Sequence, residues 1–171
     1  MHLSTSAILK TPLLFLVSIA CTLSSCKKDA PRPNKPDLLC AHAWRTTAHT
    51  ITDTRDGITV VENRYAKYDA CHRDNIMTFS VDNRNICNMG VARCTPGEAA
   101  SYNGSWYLTK EGNILLMDNL FPMVEQGSQF GILDFELVDL TDSAMKLKWG
   151  YSYMLGPTTV SITEEYAFSA L

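Results

Sequence analysis

The sequence has no run of like charges and few charged residues of either sign. Charged residues make up 19% of the chain, and the formal net charge is −3. Because binding to the phosphate backbone of a nucleic acid requires clustered Lys and Arg, we expect no nucleic-acid partner. The apolar fraction of 46% is still that of a folded domain rather than of a disordered chain.

Motifs that carry chemistry are also missing. Cys-x-x-Cys does not occur, which argues against a dithiol redox centre and, because the histidines are scattered, against a metal site. Ser105 and Ser128 each follow a glycine, but neither lies in the Gly-x-Ser-x-Gly motif of hydrolases. The spacing of His42, His49 and His72 pairs none of them with a nucleophile. We therefore expect a protein that is not an enzyme, with no catalytic residue, metal or cofactor.

The longest apolar run, residues 13–23, is too short to cross a bilayer, which takes about 20 apolar residues. Lys10 precedes it and supplies the positive charge of a secretory signal. An aliphatic residue, two small residues and a cysteine follow, as in a bacterial lipobox: Leu23, Ser24, Ser25 and Cys26. This order predicts a lipoprotein signal peptide over residues 1–25, with Cys26 acylated by fatty acids. The alternative is a plain signal peptide that happens to contain a cysteine.

The next segment has the composition of a tether. Residues 27–36 contain three prolines and five charged residues, which disfavours a packed element. We expect residues 26–36 to link the lipid to a domain over residues 37–171, with a reach of about 30 Å. The expected location is the bacterial envelope, with the lipid in the outer membrane as the membrane partner. Six cysteines also suit an oxidising compartment.

Alternating patterns dominate the rest of the chain. A short helical turn is predicted after Pro36, because Leu38 and Leu39 can face a core. Strand patterns separated by turn residues follow at 44–52, 58–65, 75–81, 85–91, 105–109, 114–118, 130–140, 144–154 and 158–168. An alternation with period two indicates half-buried antiparallel strands. Many short strands with almost no helix predict a closed meander or a sandwich.

The last two predicted strands have the clearest faces. In residues 144–154 one face holds large apolar and aromatic side chains: Met145, Leu147, Trp149, Tyr151 and Tyr153. In residues 158–168 the apolar face is interrupted by Glu164. Glu164 and Glu165 are adjacent on a strand, so they point to opposite faces and cannot form a facing carboxylate pair.

A set of residues in the middle of the chain points to a family. The set reads Cys71-x-x-Asp74-Asn75, Phe79, Cys94 and Gly104-x-Trp106-x-Leu108, after the leading Leu38-Leu39 and Trp44. With the lipobox and tether, this pattern resembles the lipocalin-like lipoproteins common in Bacteroidetes over roughly residues 36–168. The resemblance implies an all-β fold, an up-and-down antiparallel barrel of about eight strands that is wide enough for one small ligand.

The resemblance also implies a disulfide. With Cys26 lipidated and the signal peptide removed, four cysteines remain, and four allow three pairings. The resemblance implies Cys71–Cys94, which leaves Cys40 and Cys87 as the companion pair. Residue Asp74 is expected to hold a turn by accepting hydrogen bonds from backbone N–H groups.

Two segments are candidates for lining a binding site. Tyr151 and Tyr153 lie near the end of a predicted strand, where their hydroxyls need partners if they are buried. Phe121 and Met123 belong to an apolar segment in a place where a polar loop is typical. We expect a membrane-anchored lipoprotein in which these four residues bind a small apolar or amphipathic ligand. The alternative is a non-enzymatic structural or protein-interaction module of the cell envelope with a filled barrel.

Overall fold

The computed structural model describes residues 33–109, 111–118 and 131–171. Most of this chain is antiparallel strand. The strands are β1 (Ala43–Arg55), β2 (Ile58–Asn63), β3 (Ile76–Phe79), β4 (Arg84–Asn88), β5 (Ser101–Leu108), β6 (Ile114–Met117), β7 (Leu133–Leu140), β8 (Ala144–Leu155) and β9 (Thr158–Ala170). The helices are α1 (Lys35–Ala41) and α2 (Ala70–Arg73), with one 3-10 turn (Tyr65–Lys67). None of the helices in these ranges is long and apolar enough to cross a membrane.

Eight of the strands form a closed barrel. β3 to β9 pair in chain order, β3 pairs with β1, and β1 pairs with β9 to close the ring. β2 is a ninth strand, which pairs with β1 beyond the point where β3 ends. All pairs are antiparallel. The predicted all-β, up-and-down barrel of about eight strands is therefore confirmed, as is the short N-terminal helix.

α1 closes one end of the barrel. The side chain of Asn34 caps the helix, and Leu39, on the inner face of the helix, is buried in the core. The indole Nε1 of Trp44 donates to the carbonyl of Leu39 at 3.0 Å, and Lys35 Nζ donates to the carbonyl of Gly112 in the β5–β6 turn at 2.7 Å. The helix begins at Lys35, so the fold starts inside the segment that the sequence assigns to the tether.

The core lies next to α1. It is built from alternate, inward-facing side chains of the strands: Leu39, Trp44, Met77, Phe79, Trp106, Leu115, Met117, Leu133, Phe135, Leu137, Met145, Leu147, Tyr166 and Phe168. The rings of Phe79 and Trp106 meet edge to face at 5.6 Å. An eight-stranded barrel has an interior that such side chains can fill. This part of the barrel is a packed core.

A disulfide fixes the rim at the other end. Cys71 of α2 is bonded to Cys94 in the β4–β5 connection, which confirms the pair that the family resemblance implies. Asp74 Oδ2 accepts hydrogen bonds from the backbone N–H groups of residues 91 and 92, at 2.8 and 3.0 Å, which is the role expected for it. Gly90 has φ +58°, and a Cβ there would collide with the Asp74 carboxyl group. One covalent bond and one carboxylate thus tie the segment between β2 and β3 to the β4–β5 connection.

The second disulfide proposed from the sequence, Cys40–Cys87, is not formed. Both residues carry free thiols. Cys40 lies on α1, which packs against β3 and β7, whereas Cys87 lies on β4. Burial raises the pKa of the Cys87 thiol to about 12, so this residue acts as a small apolar core side chain. The prediction was wrong because it assumed that the two cysteines left over after Cys71–Cys94 are paired with each other.

Candidate functional site

Four strands continue past the core at the end opposite α1. β8 and β9 pair from Ala144↔Ser169 to Leu155↔Thr158, and β1 pairs with β9 as far as Arg55. β2 pairs with the same outer half of β1, whereas β7 reaches β8 only as far as Lys148. The result is a four-stranded extension in the order β2-β1-β9-β8.

A β-bulge in β1 decides which side chains of the extension face inward. The register against β9 shifts between Thr46 and Ala48, which inserts one extra residue. Before the bulge the inward residues have even numbers, such as Trp44 and Thr46. After the bulge the buried, inward residue is His49, and inward positions have odd numbers. The bulge therefore selects the residues that line the open end.

The inward side chains of the extension form three rows of four, which we call the mouth face. The row next to the core is Trp149, Glu164, Ile51 and Glu62. The middle row is Tyr151, Ile162, Asp53 and Val60. The outer row is Tyr153, Val160, Arg55 and Ile58. Eight of the twelve side chains are apolar or aromatic, three are acidic and one is basic.

An aromatic stack runs along the β8 side of the mouth face. The ring centroids of Trp149 and Tyr151 are 4.9 Å apart, with the ring planes tilted by 41°, and those of Tyr151 and Tyr153 are 6.0 Å apart, with the planes stacked at 19°. Tyr151 and Tyr153 are 43% and 42% exposed. Partial burial and then the nearby negative charges, that of Glu164 foremost, raise the pKa of the Tyr151 hydroxyl above its ordinary value. Two of the residues predicted to bind a ligand therefore face inward at the open end.

The other predicted site residues cannot be placed in the same way. Phe121, Met123 and Cys26 lie outside the described residues. Their assignment to ligand binding and to lipidation therefore remains a prediction from the sequence.

A cleft of about 520 Å³ lies on the β1–β2 side of the same face. Apolar side chains of Ile51, Ile58 and Val60 line it, with ion pairs beside them. In one of these pairs Arg55 donates to both carboxylate oxygens of Asp53, with Nη2 at 2.6 Å from Oδ2. The volume is in the range of small-molecule sites. β8 lies three strand spacings from β2, about 14 Å, so the aromatic stack and the cleft are opposite sides of one face.

A buried polar network lies beneath the mouth face. His49 Nε2 is 3.0 Å from Glu164 Oε2, and the hydroxyl of Tyr166 donates to the same oxygen at 2.6 Å. The hydroxyl of Tyr68 is 2.7 Å from His49 Nδ1, and the ring of Tyr166 stacks on the imidazole at 4.1 Å. His49 and Glu164 are 5% and 9% exposed. The network joins β1, β9 and the segment between β2 and β3.

Hydrogen bonds determine the charge of this network. Burial acts to raise the pKa of the Glu164 carboxyl, but the hydrogen bonds from His49 and Tyr166, together with nearby positive charge that includes Arg64, outweigh it, and this pKa lies below its ordinary value. Burial, followed by the charge of Glu164, raises the pKa of Tyr166. Both ring nitrogens of His49 have a hydrogen-bond partner, Glu164 at Nε2 and Tyr68 at Nδ1. The four side chains hold one carboxylate in place and include no serine or cysteine nucleophile.

The sequence contains one signal for this network. Glu164 interrupts an otherwise apolar strand face, and an inward carboxylate needs a buried partner. The partner, His49, could not be identified because the bulge in β1 changes which residues face inward.

A second cluster contains the disulfide and the neighbouring His72. It has the residue types of a metal site but lacks free thiolate ligands. One ligand atom from each of Cys71, His72 and Cys94 lies within 4.8 Å of the others. The two sulfur atoms are bonded to each other, so neither is available as a thiolate ligand.

No family profile, curated protein or solved structure matches this chain. The mouth face, the aromatic stack and the network beneath them are therefore the features from which a function is inferred.

Proposed function

We propose that this chain is a lipid-anchored protein of the bacterial envelope whose barrel mouth binds a small apolar or amphipathic ligand. The mouth face carries the proposal. Inward positions of a barrel are normally buried, yet Ile58, Val60, Tyr151 and Tyr153 remain exposed on it. Covering an aliphatic side chain of this size contributes about 1.5–3 kcal/mol, so an exposed apolar face of this kind favours a ligand.

The position and composition of the cleft support an amphipathic ligand. The core next to α1 is filled, so the ligand lies in the mouth rather than deep in the barrel. Ile51, Ile58 and Val60 offer an apolar wall, and the Asp53–Arg55 ion pair lies beside it. A ligand with an apolar body and a polar group suits both surfaces.

The lipid anchor is supported by the lipobox that ends at Cys26. The Cys71–Cys94 disulfide agrees with export, because disulfides persist in oxidising compartments. The eight-stranded barrel agrees with the resemblance to lipocalin-like lipoproteins. We propose that the chain is a member of that group, with its lipid in the outer membrane.

A protein-interaction module is the second candidate. The observation that favours it is exposed apolar surface on the outer side of the extension as well, at Val61 and Met154. A protein partner would cover both sides and the edges of the extension, whereas a small ligand would cover the mouth face alone.

Binding of a neutral naphthylamine fluorophore tests the proposal. Protein that starts at residue 27 retains all the described core and needs no detergent. We expect saturable binding that is weakened at least several-fold by Tyr151→Ala/Tyr153→Ala and unchanged by Val61→Ala, because Val61 points to the outer side. No saturable binding by the wild type would favour the interaction module. Binding that the double substitution leaves intact would retain the ligand and reject the aromatic stack as its site.

A further inference from the structure

We infer that the ligand of the mouth is an amphipathic cation, an amine or quaternary ammonium group on an apolar body. This inference rests on the proposed function and adds the sign of the head group. Two observations carry it: the way in which the charges of the mouth face are paired, and the aromatic stack beside the carboxylate that retains its charge.

Both carboxylates on the β1–β2 side of the mouth face are paired with cations. Asp53 is in a two-point ion pair with Arg55. Glu62 has both Arg64 and Lys67 within ion-pair distance, at 3.2 and 2.8 Å. An anionic head group would compete with the carboxylates of Asp53 and Glu62 for cations that they already bind, which disfavours an anion on this side.

The β8–β9 side has a net negative charge. Its six side chains on the mouth face are those of Trp149, Tyr151, Tyr153, Val160, Ile162 and Glu164, which include one carboxylate and no cation. Glu164 receives hydrogen bonds from the phenol of Tyr166 and the imidazole of His49, which favour its charged form. The guanidinium that acts on it, that of Arg64, is itself ion-paired with Glu62. The lysines of this part of β8, Lys146 and Lys148, alternate onto the outer side of the strand.

The aromatic stack lies directly beside that charge. Trp149 is paired with Glu164 across β8 and β9, and Tyr151 is the next inward residue along the strand. Opposed side chains on antiparallel strands have Cβ atoms about 5 Å apart. A cation above the Trp149 and Tyr151 rings would meet negative π-faces on the side of the barrel that carries Glu164, whose charge acts on Tyr151, while its apolar body extends toward Ile51 and Val60.

Three ligands with the same decyl chain test the sign of the head group. They are decyltrimethylammonium, decanoate and decanol, each displacing the naphthylamine fluorophore at about pH 8, where the carboxyl group of decanoate is ionised. We expect the cation to bind about tenfold tighter than the carboxylate at low salt. The ratio should shrink as salt screens the interaction.

A matched pair of substitutions locates the effect. Glu164→Gln removes the charge beside the stack, and Glu165→Gln makes the same change on the exposed, outer side of the same strand. We expect the preference for the cation to fall to about twofold or less in Glu164→Gln and to stay near tenfold in Glu165→Gln. Trp149→Leu, which keeps the carboxylate but removes a ring, should also lower the ratio, and it provides an independent result if Glu164→Gln does not fold.

The outcomes separate the inference from the proposed function. Equal affinities, or a preference for decanoate, would overturn the inference and leave the ligand-binding barrel in place. An equal loss in Glu164→Gln and Glu165→Gln would also overturn it, because net charge rather than the site would then set the preference. If none of the three ligands and no fluorophore bind saturably, the proposed function itself fails.

Discussion

The two halves of β8 carry the same alternating pattern and differ in what covers them. Met145 and Leu147, in the half nearer α1, are 0% and 2% exposed, whereas Tyr151 and Tyr153 are 43% and 42% exposed. The first pair faces strands on all sides of a closed barrel. The second pair faces only β9, β1 and β2. Along β8, the inward-facing side chains are thus buried where the ring of strands closes around them and exposed beyond that point.

This comparison separates the residues that stabilise the fold from those available for binding. Buried side chains in the α1 half contribute to the free energy of unfolding through their contacts and through the area removed from water. Exposed side chains in the mouth contribute little, because they gain little on folding. Substitutions in the two halves should therefore have effects of clearly different size.

The largest difference is expected between Trp44→Ala and Tyr153→Ala. Trp44 is fully buried and hydrogen-bonded to Leu39, so its truncation should lower the free energy of unfolding by about 3–5 kcal/mol. Tyr153→Ala should cost about 1 kcal/mol or less. Urea denaturation measures both values. Equal losses of unfolding free energy in the two variants would contradict the distinction between a core that stabilises the fold and a mouth whose side chains are exposed for binding.

The disulfide should have the next largest effect. Replacing Cys71 and Cys94 by alanine removes a loop constraint worth roughly 3 kcal/mol in the chain-entropy model. A thiol reductant should destabilise the wild type by a similar amount and leave the double variant unchanged. Peptide mapping without reduction should show Cys71 linked to Cys94, with Cys40 and Cys87 as thiols. A Cys40–Cys87 peptide would contradict the described structure.

Glu164→Gln should have a smaller effect that depends on pH. The pKa of Glu164 is lowered in the folded state, so its contribution to stability is fully present above the ordinary pKa of about 4.5 and is lost as the pH falls from there through the lowered pKa of the folded protein. We expect a loss of about 1–2 kcal/mol at neutral pH that vanishes in acid. Glu165→Gln is the control, because this residue is exposed. A loss that is the same at every pH would mean that the charge of Glu164 plays no part.

The smallest effect on the fold is expected for Cys26→Ala. Residue 26 precedes the described barrel, so the free energy of unfolding should not change. Fatty-acid labelling and membrane association should both be lost, because the acyl chains supply the anchor. Undiminished labelling of this variant would reject lipidation at Cys26.

Much of the barrel was predictable from the sequence because its strands alternate with period two. The pattern from Met145 to Tyr153 predicted one shared face, and the register against β9 confirms it. The turns around Asp56-Gly57 and Gly156-Pro157 were equally clear, because glycine accepts the positive φ angles found there. Alternation is a local property, so it can be read without knowing what a strand packs against.

Other features depend on contacts between distant residues and could not be predicted in this way. The bulge after Thr46 leaves no clear local signal, yet it turns His49 toward Glu164. The exposure of Tyr151 depends on where β7 stops pairing with β8, which is a property of the closed ring. The sequence shows which side chains share a face, and only the barrel shows which part of that face is open.

The adjacent residues Val60 and Val61 offer the most direct test of the mouth face as the binding surface. They are 60% and 64% exposed, but Val60 lies on the mouth face and Val61 on the outer side of β2. In a methyl NMR titration with the neutral naphthylamine fluorophore, we expect the signals of Ile51, Ile58 and Val60 to shift with one saturation curve. The signals of Val61 and of the buried Leu147 should stay in place. Equal shifts at Val60 and Val61, or shifts confined to the core, would contradict a ligand site in the mouth of the barrel.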